Sequence, residues 1–188
     1  MATATFSRFH VQLRAQITGN KVEGHAAVFG QIATVPGHYE ALERGAFTDV
    51  LKNPDTDVRA LVNHDANLLL ARQSAGTLRI SQDSEGLPFD LDLPNTSYAN
   101  DLRELLERGD INGASFAFLP GKDRWDRAPD GRQLRTHTSV SQLLDVSVVT
   151  FPAYEGAGVS LRSYDFSGTS RQREQLIRAR ARVRLGRA

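Results

Sequence analysis

Residues 111–120 read INGASFAFLP, and the period of two within that stretch decides the fold. Phe116 and Phe118 fall on one side of an extended chain, Ser115 and Ala117 on the other, because successive side chains of a strand point to opposite faces. The spacing predicts a strand over 112–119 with its phenylalanines toward a core. Residues 141–151 (SQLLDVSVVTF) repeat the device, with Leu144, Val146 and Val148 alternating with Asp145 and Ser147. Further strands are predicted over 6–17 and 21–29, joined by the turn Thr18-Gly19-Asn20, and over 57–63, 76–82, 86–93, 132–138 and 158–162. Residues 83–86 (DSEG) form the turn between two of these. A loop carries Pro36 and Gly37, and a short helix is expected over 44–52. The period changes in NTSYANDLRELLERGD, where Tyr98, Leu102, Leu105 and Leu106 recur at helical spacing. Thr96 or Ser97 can cap that helix, and Gly109 sits where it stops, giving a helix over 97–108. Many short strands and one or two helices predict a mainly β chain of the α+β class. The expected architecture is a closed or nearly closed β-barrel with a few helices outside it.

The bulk composition narrows the chemistry. The chain has 188 residues, of which 40% are apolar, enough for one packed core. No apolar run approaches the length that spans a bilayer, and MATATFSRFH lacks the basic-then-apolar pattern of a signal peptide. A protein working inside a cell, with no membrane partner, fits this composition. The chain contains no cysteine, which excludes disulfides, thiolate catalysis and cysteine-ligated zinc. The five histidines are scattered, with no pair at i, i+4 beside a glutamate, and no phosphate-binding glycine loop is present. No cofactor or metal is therefore expected. Asn95-Thr96-Ser97 matches a glycosylation sequon but reads as the start of the helix.

The net charge of +1 hides an asymmetry. Residues 171–188 carry seven Arg and one Glu, so about +6, and the rest of the chain is about −5. Ser167-Gly168-Thr169-Ser170 reads as a linker. The sequence thus divides into a domain over 1–166 and a basic tail over 167–188. The tail lacks aromatic residues beyond the neighbouring Tyr164 and Phe166, so nucleic acid ranks last among its partners.

Three residues stand out chemically. Ser115 faces away from the phenylalanines, and small residues, Gly113 and Ala114, precede it. Asp145 faces away from its apolar neighbours in the same sense. Each alone reads as an ordinary surface residue. His64 ends the apolar run VRALVNHD, and alternation puts it with Val58, Ala60 and Val62 on the more apolar face. Its place at the strand end lets the chain leave the barrel there. A serine hydroxyl needs a base within hydrogen-bond reach, imidazole titrates in the right range, and a third group must hold the imidazole. His64, Ser115 and Asp145 supply one of each from three strands, although spacing alone does not bring them together. His10, His25, His38 and His137 compete as bases. His137 and, more distantly, Asp110 compete for the third position.

The blocks GHAAVFG, ERGAFTDVL, DVRALVNHD, LLARQSAGTLRI, GLPFDLDLPNTSYANDLRELLERGDINGASFAF and LLDVSVVTFPAY, in that order, resemble the prohead (capsid maturation) proteases of tailed bacteriophages. The resemblance runs from about residue 22 to 163, and His25 departs from the aromatic residue of the family pattern. It implies the fold of herpesvirus assemblin, a β-barrel wrapped by helices. It implies His64 as base and Ser115 as nucleophile, with Asp145 in the third role that assemblin gives to a second histidine. Arg72 is expected to pair with a surface carboxylate. The oxyanion donors remain unassigned; TFPAYEGAGVSLR offers Arg162 and backbone amides. The resemblance further implies scaffolding protein, or the scaffold-like extension of the major capsid protein, as substrate, with self-cleavage, inside the assembling prohead in the host cytoplasm. Self-association, as in assemblin, and docking of the basic tail to the scaffold or shell interior are further expectations. The alternative is a catalytically silent barrel acting as a capsid- or scaffold-binding assembly module.

Overall fold

The computed structural model describes residues 7–12 and 16–151. The expected strand at 158–162, Arg162 and the basic tail lie outside them. Among the described residues, the strands are β1 (Ser7–Gln12), β2 (Gln16–Thr18), β3 (Lys21–Val28), β4 (Ala33–Val35), β5 (His38–Leu42), β6 (Arg59–Val62), β7 (Asp65–Arg72), β8 (Leu78–Ile80), β9 (Gly86–Asp92), β10 (Gly113–Pro120), β11 (Asp123–Arg127), β12 (Gln133–His137) and β13 (Val140–Val149). Two helices, α1 (Thr48–Lys52) and α2 (Ser97–Arg108), complete the mainly β fold. Neither is long and apolar enough to cross a membrane.

The strands pair as three sheets, in the orders β1-β10-β13-β6-β7, β11-β12-β5-β4 and β2-β3-β9-β8. The pairings among the described residues do not include the single closed barrel expected from the sequence. Two pairs run parallel, β13 with β6 and β12 with β5, and each joins strands far apart in the chain. All three sheets turn apolar side chains into one cluster, which holds Val22, Leu42, Phe47, Leu87, Leu91, Phe116, Phe118 and Val146. Phe116 stacks on Phe118 with ring centroids 5.1 Å apart and meets Phe47 edge-on at 5.5 Å. Both are favoured aromatic geometries.

Helix α2 begins and ends where the sequence places it. Thr96 is the extended N-cap, and Gly109 at φ 78° donates its amide to the carbonyls of Leu105 and Leu106. Its Ala99, Leu102 and Leu106 face the core. Helix α1 is shorter than expected, five residues beginning at Thr48. The expected strand over 6–17 is two strands, β1 and β2. Gly86 lies where β3 is bulged against β9. A Cβ there would stand 1.8 Å from the Ala27 carbonyl oxygen, so no other residue fits that approach.

Candidate active site

The site is built on the face of the five-stranded sheet that turns away from the phenylalanines. Residues directly opposite each other in an antiparallel pair share a face. Ser115 lies opposite Ser147 of β13, and Ala117 lies opposite Asp145. The alternation that buries Phe116 and Val146 therefore places Ser115, Ser147 and Asp145 together on the other side. That side is not open surface: Ser115 is 0% exposed, Ser147 1% and Asp145 4%.

The histidine arrives by a turn. β6 runs parallel to β13, with Leu61 beside Ser147 and Val62 beside Val148. β7 then returns antiparallel, with Val62 opposite Asp65. Asn63 and His64 alone make the connection, at φ 49° and 57°. Positive φ at both central residues is what a two-residue type I′ hairpin turn demands. Asn and His are among the few non-glycine residues enriched in that region. The turn also explains why alternation misplaces His64: two left-handed residues reset the phase of the strand. The turn is fastened to the end of β13. The Asn63 amide donates to the Val148 carbonyl at 2.9 Å, and the Thr150 amide donates to Asn63 Oδ1 at 2.9 Å. Asn63 Nδ2 donates to Thr150 Oγ1 at 3.3 Å.

The three residues singled out in the sequence meet. His64 Nδ1 lies 2.6 Å from Asp145 Oδ1, and His64 Nε2 lies 2.7 Å from Ser115 Oγ. An ionised carboxylate can only accept. Nδ1 therefore carries the hydrogen and donates to Asp145, which leaves Nε2 to accept from the Ser115 hydroxyl. This tautomer is the one in which imidazole can take the serine's proton. His64 is 8% exposed, so the chain of hydrogen bonds is largely withdrawn from water, and electrostatic interactions are stronger in that interior than in water.

The competitors are occupied elsewhere. His137 lies on the core side, perpendicular to the Phe118 ring at 5.2 Å, with Nε2 3.5 Å from Glu40 Oε1. Burial would raise the pKa of Glu40, but hydrogen bonds with His137 and His38 outweigh it and hold the carboxyl below its ordinary value. His25 pairs with Asp83, and Asp110 with Arg108. The side chain of His10 lies outside the described residues. Arg72 donates from Nε to Asp57 at 2.8 Å, the surface pairing expected of it. That guanidinium holds the Asp57 carboxyl well below the usual carboxylate range.

Two residues of the site escape the sequence reading. Asn63 fastens the turn. Ser147 donates its hydroxyl to Asp145 Oδ1 at 2.8 Å and accepts from the His64 amide at 3.2 Å. The signal for Ser147 lay in the same alternation, since it shares a strand face with Asp145 two residues away. A two-residue turn without glycine leaves little comparable signal for Asn63.

The chain is similar to known proteins over most of its length. Residues 9–172 match the family described as Caudovirus prohead serine protease. The prohead protease of Enterobacteria phage HK97 is 28% identical over 179 residues, covering 94% of this chain and 75% of that protein. In fold, the chain is similar to the capsid assembly protease of bacteriophage T4, with a TM-score of 0.56 and 9% identity. That match covers 78% of this chain and 98% of the T4 protein.

Proposed function

Because the chain belongs to the caudovirus prohead serine protease family, we propose that Ser115, His64 and Asp145 are its catalytic triad. The observation that carries this reading is the unbroken hydrogen-bonded series from Asp145 Oδ1 through the imidazole to Ser115 Oγ. In the first step Ser115 Oγ attacks the scissile carbonyl while His64 Nε2 takes its proton. Asp145 holds the ring by Nδ1 and stabilises the imidazolium that forms. His64 then gives the proton to the leaving amine, which departs and leaves an acyl-enzyme on Ser115. Water, deprotonated by the same imidazole, attacks the ester, and Ser115 recovers its proton as the acid leaves. The same reading takes the three sheets, which share one apolar cluster, as the wall of an assemblin-like barrel.

The substrates in this reading are the scaffolding protein or the scaffold-like extension of the major capsid protein, and the protease itself, cleaved during head maturation in the host cell. Its relatives are named a prohead protease and a capsid assembly protease. A fluorophosphonate, which forms a stable adduct with an activated serine, tests the nucleophile directly. We expect one adduct per chain, mapped by mass spectrometry to the peptide containing Ser115 and lost when His64 is alanine. An adduct on another serine, or equal labelling without His64, overturns the assignment.

The basic tail is assigned here to docking on an acidic partner in the prohead, since about six net positive charges in 18 residues would draw one electrostatically. Removing residues 167–188 is expected to leave peptide cleavage unchanged and to lower incorporation into proheads. Incorporation equal to that of the full chain removes the docking role.

A further inference from the structure

We propose that Ser147 is a positioning residue of the protease, one that ties the third member of the triad to the turn bearing the base. The inference rests on the triad reading above. Ser147 Oγ makes hydrogen bonds to Asp145 and to the His64 amide, and their chemistry leaves it one orientation. An ionised Asp145 can only accept, so the hydroxyl hydrogen points at Oδ1, 2.8 Å away. A backbone amide can only donate, so the His64 N–H occupies a lone pair of the same oxygen at 3.2 Å. One buried hydroxyl therefore grips the carboxylate and the backbone of the base together.

The grip matters because of what each partner does. Asp145 Oδ1 is also the oxygen that meets His64 Nδ1 at 2.6 Å. The Ser147 hydrogen bond keeps that oxygen turned toward the ring. The His64 backbone is left-handed at φ 57°, a conformation that an L-residue keeps only when its surroundings hold it. The Ser147 hydroxyl is one of the groups that hold it. Ser147 also lies opposite Ser115 in the strand register. It thus sets the place of the base relative to the nucleophile while touching neither the substrate nor the transferred proton.

Alanine at 147 keeps the strand and removes only the hydroxyl. The Asp145 oxygen then loses a donor, and a buried amide loses its acceptor. Three measurements on the full chain test the role: the rate at which a fluorophosphonate labels Ser115 as a function of pH, the ring ¹⁵N signals of His64 by NMR, and the melting temperature. For Ser147→Ala we expect labelling to slow by about 10- to 100-fold, the effect of one or two buried hydrogen bonds. We expect the acid limb of the pH profile to move to higher pH, because a carboxylate with one donor fewer pulls harder on the imidazole proton. The His64 ring signals should change from one fixed tautomer toward an average of two. Ser147→Thr, which keeps the hydroxyl, should restore the limb and the ring signals.

A labelling rate, limb and ring spectrum equal to wild type in Ser147→Ala overturn the proposal. So does a lower melting temperature with the limb and ring signals unmoved, since that is a structural role alone. If wild type itself is not labelled at Ser115, the triad reading fails, and the ring spectrum alone decides whether Ser147 holds His64.

Discussion

Ser115→Ala will lower kcat/KM by about 10⁴- to 10⁶-fold against the cleaved capsid or scaffold polypeptide and will leave the protein folded. The lower end is what loss of the orienting carboxylate costs a triad; the upper end is what loss of its serine costs. The substitution removes one oxygen from a position with no solvent exposure and leaves Phe116 and Phe118 in place, so the fold has little to lose. His64 Nε2 loses its 2.7 Å partner, and no group remains there to form the acyl-enzyme. Residues that act as a unit are not additive, so His64→Ala added to Ser115→Ala should cost nothing further. Mass spectrometry of the fragments, with both variants beside wild type, reads the result and gives the cleavage sequence. Cleavage by Ser115→Ala within about tenfold of wild type would sink the nucleophile assignment.

Phe116→Ala is expected to cost about 4 kcal/mol of folding stability, the middle of the range for truncating a buried aromatic. Phe116 has no exposed surface and packs against Phe47 and Phe118. Phe118 sits on the same strand, which is paired on both flanks by β1 and β13, so the space Phe116 leaves cannot readily close. Urea denaturation should show the midpoint falling with little change in slope. The effect reaches the site, because the burial of Phe116 is what aims Ser115 away from the core. A loss under about 1 kcal/mol would mean that the alternation is held by something other than this contact.

Where side chains alternate or recur at helical spacing, the fold was legible in the sequence. The strands carrying Ser115 and Asp145, the helix over Ser97–Arg108 and its Gly109 cap came directly from that spacing. Pairing between distant strands was not legible. Nothing local records that β6 lies parallel to β13, or β12 to β5. β7 was missed because Asn63-His64 lacks the glycine that usually announces a two-residue turn. β11, DRWDR, was missed because it is exposed throughout and has no apolar face to show. β4 and β5 were hidden by Pro36 and Gly37, which read as a loop and are in fact the tip of a hairpin. The site shows the same division. Residue types named the three chemical roles, while the turn that brings His64 over Ser115 is a backbone feature.

The parallel pairing of β6 with β13 has a consequence for the order in which the protein is made. His64 and Asp145 are 81 residues apart, and Thr150, which fastens the turn, is later still. At about 5–20 residues per second, roughly 4 to 16 s pass between the ribosome's adding the base and adding its carboxylate partner. During that interval β6 has no β13 to lie against. In the triad proposed above, no chain that ends before Asp145 holds the full set of groups, so a polypeptide still short of it has no assembled site. In the proposed triad, the topology therefore withholds the assembled site until β13 has been made.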